Sequence, residues 1–138
     1  MLHGESYTPR EHIFSEMTWH DRYNPMRSVR TNRYKYIHNF GYRPLVFMPW
    51  DVYQGLAGQE MIGEYYTGGR PEHQLYDLEN DPLEFEDVAG DPGYADVLAE
   101  LQAMVQQWME QTNDPLLLGD VPPTPAQAHR AATVWQSN

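Results

Sequence analysis

The 138-residue chain has no cysteine. That excludes disulfides, Cys-ligated zinc, iron–sulfur clusters and a thiol nucleophile, and it leaves the compartment unassigned. The only lysine is Lys35, and the only serines are Ser6, Ser15, Ser28 and Ser137. None of these serines lies in a G-x-S-x-G elbow. No glycine-rich phosphate loop occurs, and Gly68-Gly69-Arg70 reads as a turn. No run of 18 apolar residues is present, so no membrane-spanning helix is expected. Met1-Leu2-His3-Gly4-Glu5 carries neither a basic nor an apolar leader segment, so no signal peptide is expected.

Positive charge is also scarce. Nine basic residues face twenty acidic ones, for a net charge of −11. Residues 1–43 hold seven of the basic groups (Arg10, Arg22, Arg27, Arg30, Arg33, Lys35 and Arg43) against four acids. The remainder is strongly acidic. The overall field repels phosphate, so no nucleic-acid partner is expected. Two readings of the basic third stay open: a small patch that holds an anion, or arginines paired with the acidic remainder.

With 41% hydrophobic and 13% aromatic residues, the chain can bury a core. Its length suits one domain with a tail. His12–Trp19 reads as a strand and residues 20–25 as a loop. Met26–Arg30 and Arg33–His38 flank Thr31-Asn32, which predicts a hairpin with Asn32 at positive φ. Tyr34, Tyr36 and His38 then share one face, and Lys35 and Ile37 the other. Residues 39–73 mix glycine and proline with seven aromatics and read as an ordered excursion, with a short helix around Val52–Tyr66. Gln74–Leu78 reads as a strand ended by Asn80-Asp81-Pro82.

The strongest element is a helix. Asp91 suits its N-cap and Pro92 its first position. Tyr94, Val97, Leu98, Leu101, Met104, Val105, Trp108 and Met109 follow at spacings of three and four, which makes one apolar stripe. Asn113-Asp114-Pro115 ends it. Beyond Leu118 a Pro-rich tail is expected to lie over the surface or fray. The predicted fold class is α+β: a small antiparallel sheet of about four strands packed against this helix.

The residues alone assemble no active site. The histidines (His3, His12, His20, His38, His73 and His129) never stand at i, i+4, and no H-E-x-x-H occurs. Asp77, Glu79 and Asp81 alternate like a calcium loop, but Pro82 and Val88 occupy the positions where an EF-hand needs Gly and Glu. The acidic stretch 77–91 reads as a solvated face. No catalytic residue and no metal ligand is assigned.

Pro25-Met26-Arg27-Ser28-Val29-Arg30-Thr31 and Arg33-Tyr34-Lys35-Tyr36-Ile37-His38-Asn39-Phe40 resemble the C-terminal region of sulfatases. Leu75-Tyr76-Asp77-Leu78-Glu79-Asn80-Asp81-Pro82, with Glu84 and Ala89, is similar to a late signature of that family, roughly ELYDLxxDPxExxNLA. Asp87 stands where the signature has Asn. Trp108 with Thr112-Asn113-Asp114-Pro115 matches the family's closing segment. The likeness covers about residues 10–118 and is strongest to heparan N-sulfatase (sulfamidase)-like bacterial sulfatases.

The resemblance implies a subdomain, residues 1–118, that packs beside a larger catalytic domain of the alkaline-phosphatase superfamily, with residues 119–138 as tail. A complete member would carry calcium and a formylglycine made from Cys or Ser in C/S-x-P-S-R. This chain has no such motif: Ser6-Tyr7-Thr8-Pro9-Arg10 places proline one position late and lacks the second serine. The resemblance therefore implies no cofactor in this chain and no activity by itself. Its expected partners are a sulfatase N-terminal catalytic domain, in cis or in trans, and a sulfated glycan. His20, Arg22 and Arg27 are the expected substrate contacts at the mouth of the pocket. A free-standing glycan- or anion-binding module, and part of a phosphonate or phosphate monoester hydrolase, remain open as alternatives.

Overall fold

The computed structural model describes residues 8–41, 44, 46–66 and 68–134. Arg43, Ser137 and the Met1–Tyr7 segment, with His3 and Ser6, lie outside them. Four strands form one sheet: β1 (His12–Trp19), β2 (Tyr23–Thr31), β3 (Tyr34–Asn39) and β4 (His73–Asp77). All neighbours are antiparallel and the order is β1-β2-β3-β4, so the sheet is a meander. Between β3 and β4 lie α1 (Trp50–Gln54) and α2 (Leu56–Tyr65). Gly58 permits their junction, because a Cβ there would lie 1.9 Å from the Val52 carbonyl oxygen. Then come α3 (Ala95–Thr112) and α4 (Pro125–Val134). The fold is α+β, with a small four-stranded antiparallel sheet and a long helix, as expected.

Period-2 alternation sends Phe14, Val29, Tyr36 and Leu75, which are successive partners across the strands, to one face. The α3 stripe meets them there. Leu101, Val105 and Met109 are buried with Val29, Tyr36 and Leu75, while Tyr94, Val97, Leu98, Met104 and Trp108 pack around them. Phe14 stacks on Trp108 with ring centroids 5.0 Å apart. The helix entrance differs from the sequence expectation by one turn: the Asp91 carboxylate accepts from the Gly93 amide (2.8 Å) and caps a 3-10 turn over Pro92–Tyr94, and α3 itself starts at Ala95, after Tyr94, which makes no side-chain cap. Its exit uses Asn113 in the left-handed conformation (φ 53°, ψ 48°).

Two expectations are corrected. The residue 20–25 loop is shorter, because β2 begins at Tyr23. Pro25 sits inside this central strand because the β1–β2 register shifts between Met17 and Trp19, and at such a bulge a missing N–H costs no ladder bond. Asn32 does not take positive φ. The turn is held instead by the Thr31 hydroxyl, which accepts from the Arg33 and Tyr34 amides (3.3 and 2.9 Å).

The late signature works as a set of carboxylate anchors. Asp77 is buried and accepts from Arg33 Nη2 (2.8 Å), Asn80 Nδ2 (2.9 Å) and the Glu79 amide (3.2 Å). Arg33 foremost, with these amides, outweighs desolvation and holds the carboxyl down to about 2, from an ordinary 3.8. Asp87 Oδ1 accepts from the Leu75 and Ala89 amides, a job an asparagine oxygen does equally well. Val88 N donates to Leu75 O (2.9 Å), so the outer edge of β4 at Leu75 is covered.

One polar contact fastens sheet to helix. Arg27 on β2 is 1% exposed and forms a bidentate pair with Asp114, just past α3 (Nε–Oδ2 2.5 Å, Nη2–Oδ1 3.0 Å). Its remaining N–H groups reach Met17 O, Met26 O and Thr18 Oγ1. All five guanidinium donors are therefore used. Burial alone raises the Asp114 carboxyl, but Arg27 and the Leu116 amide outweigh it and hold the group below its ordinary value.

Removing one partner strands the other as a buried charge. Asp114→Ala is expected to lower unfolding stability in urea by about 3–5 kcal/mol, whereas Arg27→Met with Asp114→Leu recovers most of the loss. Equal destabilisation by the single and double variants would contradict this. Asp77 gives a second expectation. Its folded value lies below its unfolded one, so its contribution is whole above pH 3.8 and fades as pH falls through about 2. Melting temperatures measured across that window should fall less steeply for Asp77→Asn than for the parent.

Candidate functional site

Three residues, His20-Asp21-Arg22, join β1 to β2, and their geometry is built around Asp21. Its side chain is sealed, with Oδ2 accepting from the Trp50 amide at the start of α1 (2.5 Å) and Oδ1 from Arg130 Nε on α4 (2.9 Å). His20 Nδ1 lies 3.4 Å from Oδ1. Desolvation pushes this carboxyl up, but the Trp50 amide, Arg130 and His20 together hold it below its ordinary value. The connection is therefore anchored to two distant parts of the chain. The tail is tied down beside it: Trp19 Nε1 donates to Val121 O (2.9 Å), and the Tyr23 hydroxyl donates to Asp120 Oδ1 (3.0 Å).

His20 and Arg22 are exposed on this connection, two residues apart. Arg27 is not with them. It lies in the interior with every donor committed, and it acts on the connection through Met17 O and Thr18 Oγ1 at the end of β1. Other cations of the N-terminal third pair with the acidic remainder: Arg30 and Lys35 with Glu84, and Arg33 with Asp77 and Glu79. Pairing, rather than an open patch, is thus the state of these side chains and of Arg27.

A second constellation lies across the sheet. Glu16, Arg27, His38 and His73 are successive partners on β1, β2, β3 and β4. They face the α3 side, and a groove of about 380 Å³ opens there between Tyr36, His38 and His73 and the α3 residues Gln102, Ala103, Val105 and Gln106. His38 stacks on Phe40 at 3.9 Å and lies 4.9 Å from the His73 ring. Burial, then the neighbouring His73, lowers the His38 imidazole from its ordinary value. The Tyr36 hydroxyl, itself pushed up to about 12 by burial, meets His73 Nδ1 at 2.8 Å. Glu72 Oε1 lies 3.6 Å from His38 Nε2 and 3.9 Å from His73 Nε2.

Sequence reasoning assigned no role to His38, Glu72 or His73. The inward period of Tyr34, Tyr36 and His38 was the available signal. The missing half was the register of β4, set after a long excursion by the Asn39 amide donating to Glu72 O (2.8 Å).

Ser15 and Ser28 pair across β1 and β2, on the opposite face of the sheet from His38 and His73, so strand alternation keeps these serine hydroxyls away from the two imidazoles. The residues do not fit the groups of a complete sulfatase. Calcium takes six to eight oxygen ligands, whereas the His38–Glu72–His73 set is two-thirds imidazole. Formylglycine needs a C/S-x-P-S-R motif that the sequence lacks.

No protein-family profile matches the chain. Curated relatives do. It is 29% identical over 124 residues to an ulvan-active sulfatase of Formosa agariphila, covering 83% of this chain and 24% of that protein. It is 28% identical over 105 residues to the human N-sulphoglucosamine sulphohydrolase, covering 66% of this chain and 21% of that protein. A delta 4,5-hexuronate-2-O-sulfatase of Bacteroides thetaiotaomicron is 29% identical over 117 residues, with 82% and 18% covered. Solved structures share the fold. A 2-O GAG sulfatase superposes with a TM-score of 0.55 at 23% identity, over 89% of this chain and 21% of the other. A Bacteroides thetaiotaomicron protein assigned as a sulfatase gives 0.56 at 24%, over 89% and 21%. The chain spans about a fifth of the length of the relatives it matches. In sequence and in fold alike, it resembles a segment of sulfatases.

Proposed function

We propose that the chain is the C-terminal part of a sulfatase-like hydrolase that cleaves a sulfate ester or N-sulfo group on a sulfated sugar. It supports the large domain and the mouth of its pocket, and it is inactive alone. The observation that carries this reading is the similarity to several sulfatases over most of this chain and only 18–24% of theirs. Residues 1–118 form the sulfatase-like subdomain and residues 119–138 its tail. The Arg27–Asp114 pair supports the boundary, because it joins β2 to the end of α3 shortly before the tail begins.

The nucleophile and calcium belong to a catalytic domain, in cis or in trans. This chain supplies His20 and Arg22, exposed on a connection that Asp21 and Arg27 hold in place. Their N–H groups are suited to the oxygens of a sulfo group. Arg27 is a positioning residue here, since its own donors are all engaged. The names of the relatives point to ulvan, N-sulphoglucosamine and a hexuronate bearing a 2-O-sulfate. The common element of the last two is a sulfo group on a sugar. Leu83 (72% exposed) and Phe85 (82% exposed) offer apolar area of the kind a large neighbour covers.

The purified 138-residue chain is expected to release no sulfate from an aryl sulfate or from N-sulfoglucosamine, with or without calcium. Robust turnover by homogeneous material would refute the reading. Calorimetry against N-sulfoglucosamine separates the alternative. Saturable binding by the chain alone, lost in Arg22→Ala, would mean a free-standing module, whereas the subdomain reading expects no measurable heat.

A further inference from the structure

We infer that His38, Glu72 and His73 form a binding site for a divalent first-row transition ion, zinc foremost. Among the described residues this is the group of histidine and carboxylate donors gathered closely enough to share an ion: one donor atom from each, all within 4.8 Å.

The backbone creates the site. The Asn39 amide donates to Glu72 O, so Asn39 and Glu72 form a hydrogen-bonded pair of the β3–β4 ladder. The adjacent pair, His38 and His73, then falls in the non-hydrogen-bonded position, where facing side chains stand closest. Two imidazoles are thereby presented side by side by rigid strands. Glu72 stands next to His73 at the mouth of β4 and brings its carboxylate to both Nε2 atoms.

Tetrahedral coordination by nitrogen and oxygen at about 2.0–2.1 Å puts neighbouring ligand atoms roughly 3.3 Å apart. The two separations from Glu72 Oε1, 3.6 and 3.9 Å, approach that value, the histidine–histidine separation lies within 4.8 Å, and adjustment of the exposed Glu72 side chain and of the His73 ring closes the remainder. His73 has the outer partner that metal-ligating histidines use. With Nδ1–H donating to the Tyr36 hydroxyl oxygen (2.8 Å), the Nε2 lone pair faces the ion. Phe40 stacked on His38 limits rotation of the other ring. Three protein ligands leave a fourth position open to the groove beneath Gln102 and Gln106, where a water completes the shell. The donor set selects against calcium and magnesium, which take oxygen, and in favour of ions that accept imidazole. The net charge of −11 draws a cation towards the surface.

The test is calorimetric titration of zinc chloride into the full chain after chelator treatment. A single saturable site is expected. His38→Gln and His73→Gln each weaken it by about 100-fold or more, and Tyr36→Phe, which removes only the outer hydrogen bond, by about 10-fold. Circular dichroism checks that the variants are folded. Should a histidine variant fail to fold, the exposed Glu72→Gln decides, with about 10-fold weakening expected. Cobalt(II) provides a second readout: intense visible absorption of a low-coordinate ion in the parent, absent in His73→Gln. The inference is overturned by the absence of saturable uptake. It is equally overturned by affinity unchanged in Glu72→Gln and the histidine variants, or by uptake lost instead in His12→Gln or His129→Gln.

Discussion

A guanidinium without contact to water has to find a partner for every N–H, and in this molecule that requirement organises the architecture. Arg27 meets it by drawing on three separate stretches: the end of β1, its own strand and Asp114 just past α3. The hydrophobic stripe of α3 makes the helix cover the sheet, but a stripe of similar side chains tolerates sliding by a turn. A bidentate ion pair does not, because its geometry admits one register. Burial of such a pair adds little net stability, and its value lies in excluding alternatives. The packing of Leu101, Val105 and Met109 onto Val29, Tyr36 and Leu75 is thus given its phase by a contact at the far end of the same helix.

Most of the scaffold was legible in the residues, for reasons that can be named. The 3-10 turn that leads into α3 has a capping aspartate and a first-position proline, α3 itself has an uninterrupted stripe and a stop, and each signal is local. β3 places Tyr34, Tyr36 and His38 on one face by its period of two, and β4 is marked by the turn chemistry that ends it. Elsewhere the deciding interaction was distant or indirect. Pro25 looked like a loop residue because Asn-Pro favours a turn, and only the bulge beside it lets the central strand carry a proline. Asn32 looked like the residue that makes the turn, but the neighbouring Thr31 hydroxyl did so. The tail was expected to lie over the surface or fray; it is tied down by Arg130 to Asp21, and its helix Pro125–Val134 was not anticipated from the prolines. The inward position of Arg27, two residues before Val29 on the same face, was a readable signal. Its partner Asp114 is legible as part of the helix stop and of the closing segment, but not as the acceptor for Arg27.

The candidate sites divide along the same line. His20 and Arg22 could be found from a short polar connection beside a family-like motif. His38, Glu72 and His73 could not, because nothing in residues 40–71 encodes how the strands on either side will align. That alignment comes from one backbone hydrogen bond and from the Tyr36–His73 contact. The two sites also differ in kind. One lies on the connection between β1 and β2, and the other gathers side chains from β3, β4 and the residue just before β4.

The cover over β4 has a consequence for self-association. At Leu75 both outward backbone groups are already satisfied, the N–H by the Asp87 carboxylate and the C=O by the Val88 amide. Another copy therefore finds no free ladder there. Edge-to-edge polymerisation needs two receptive borders on every unit, one to accept and one to offer. The cover at Leu75 interrupts the β4 border in the middle of the strand, so propagation through that border is opposed there.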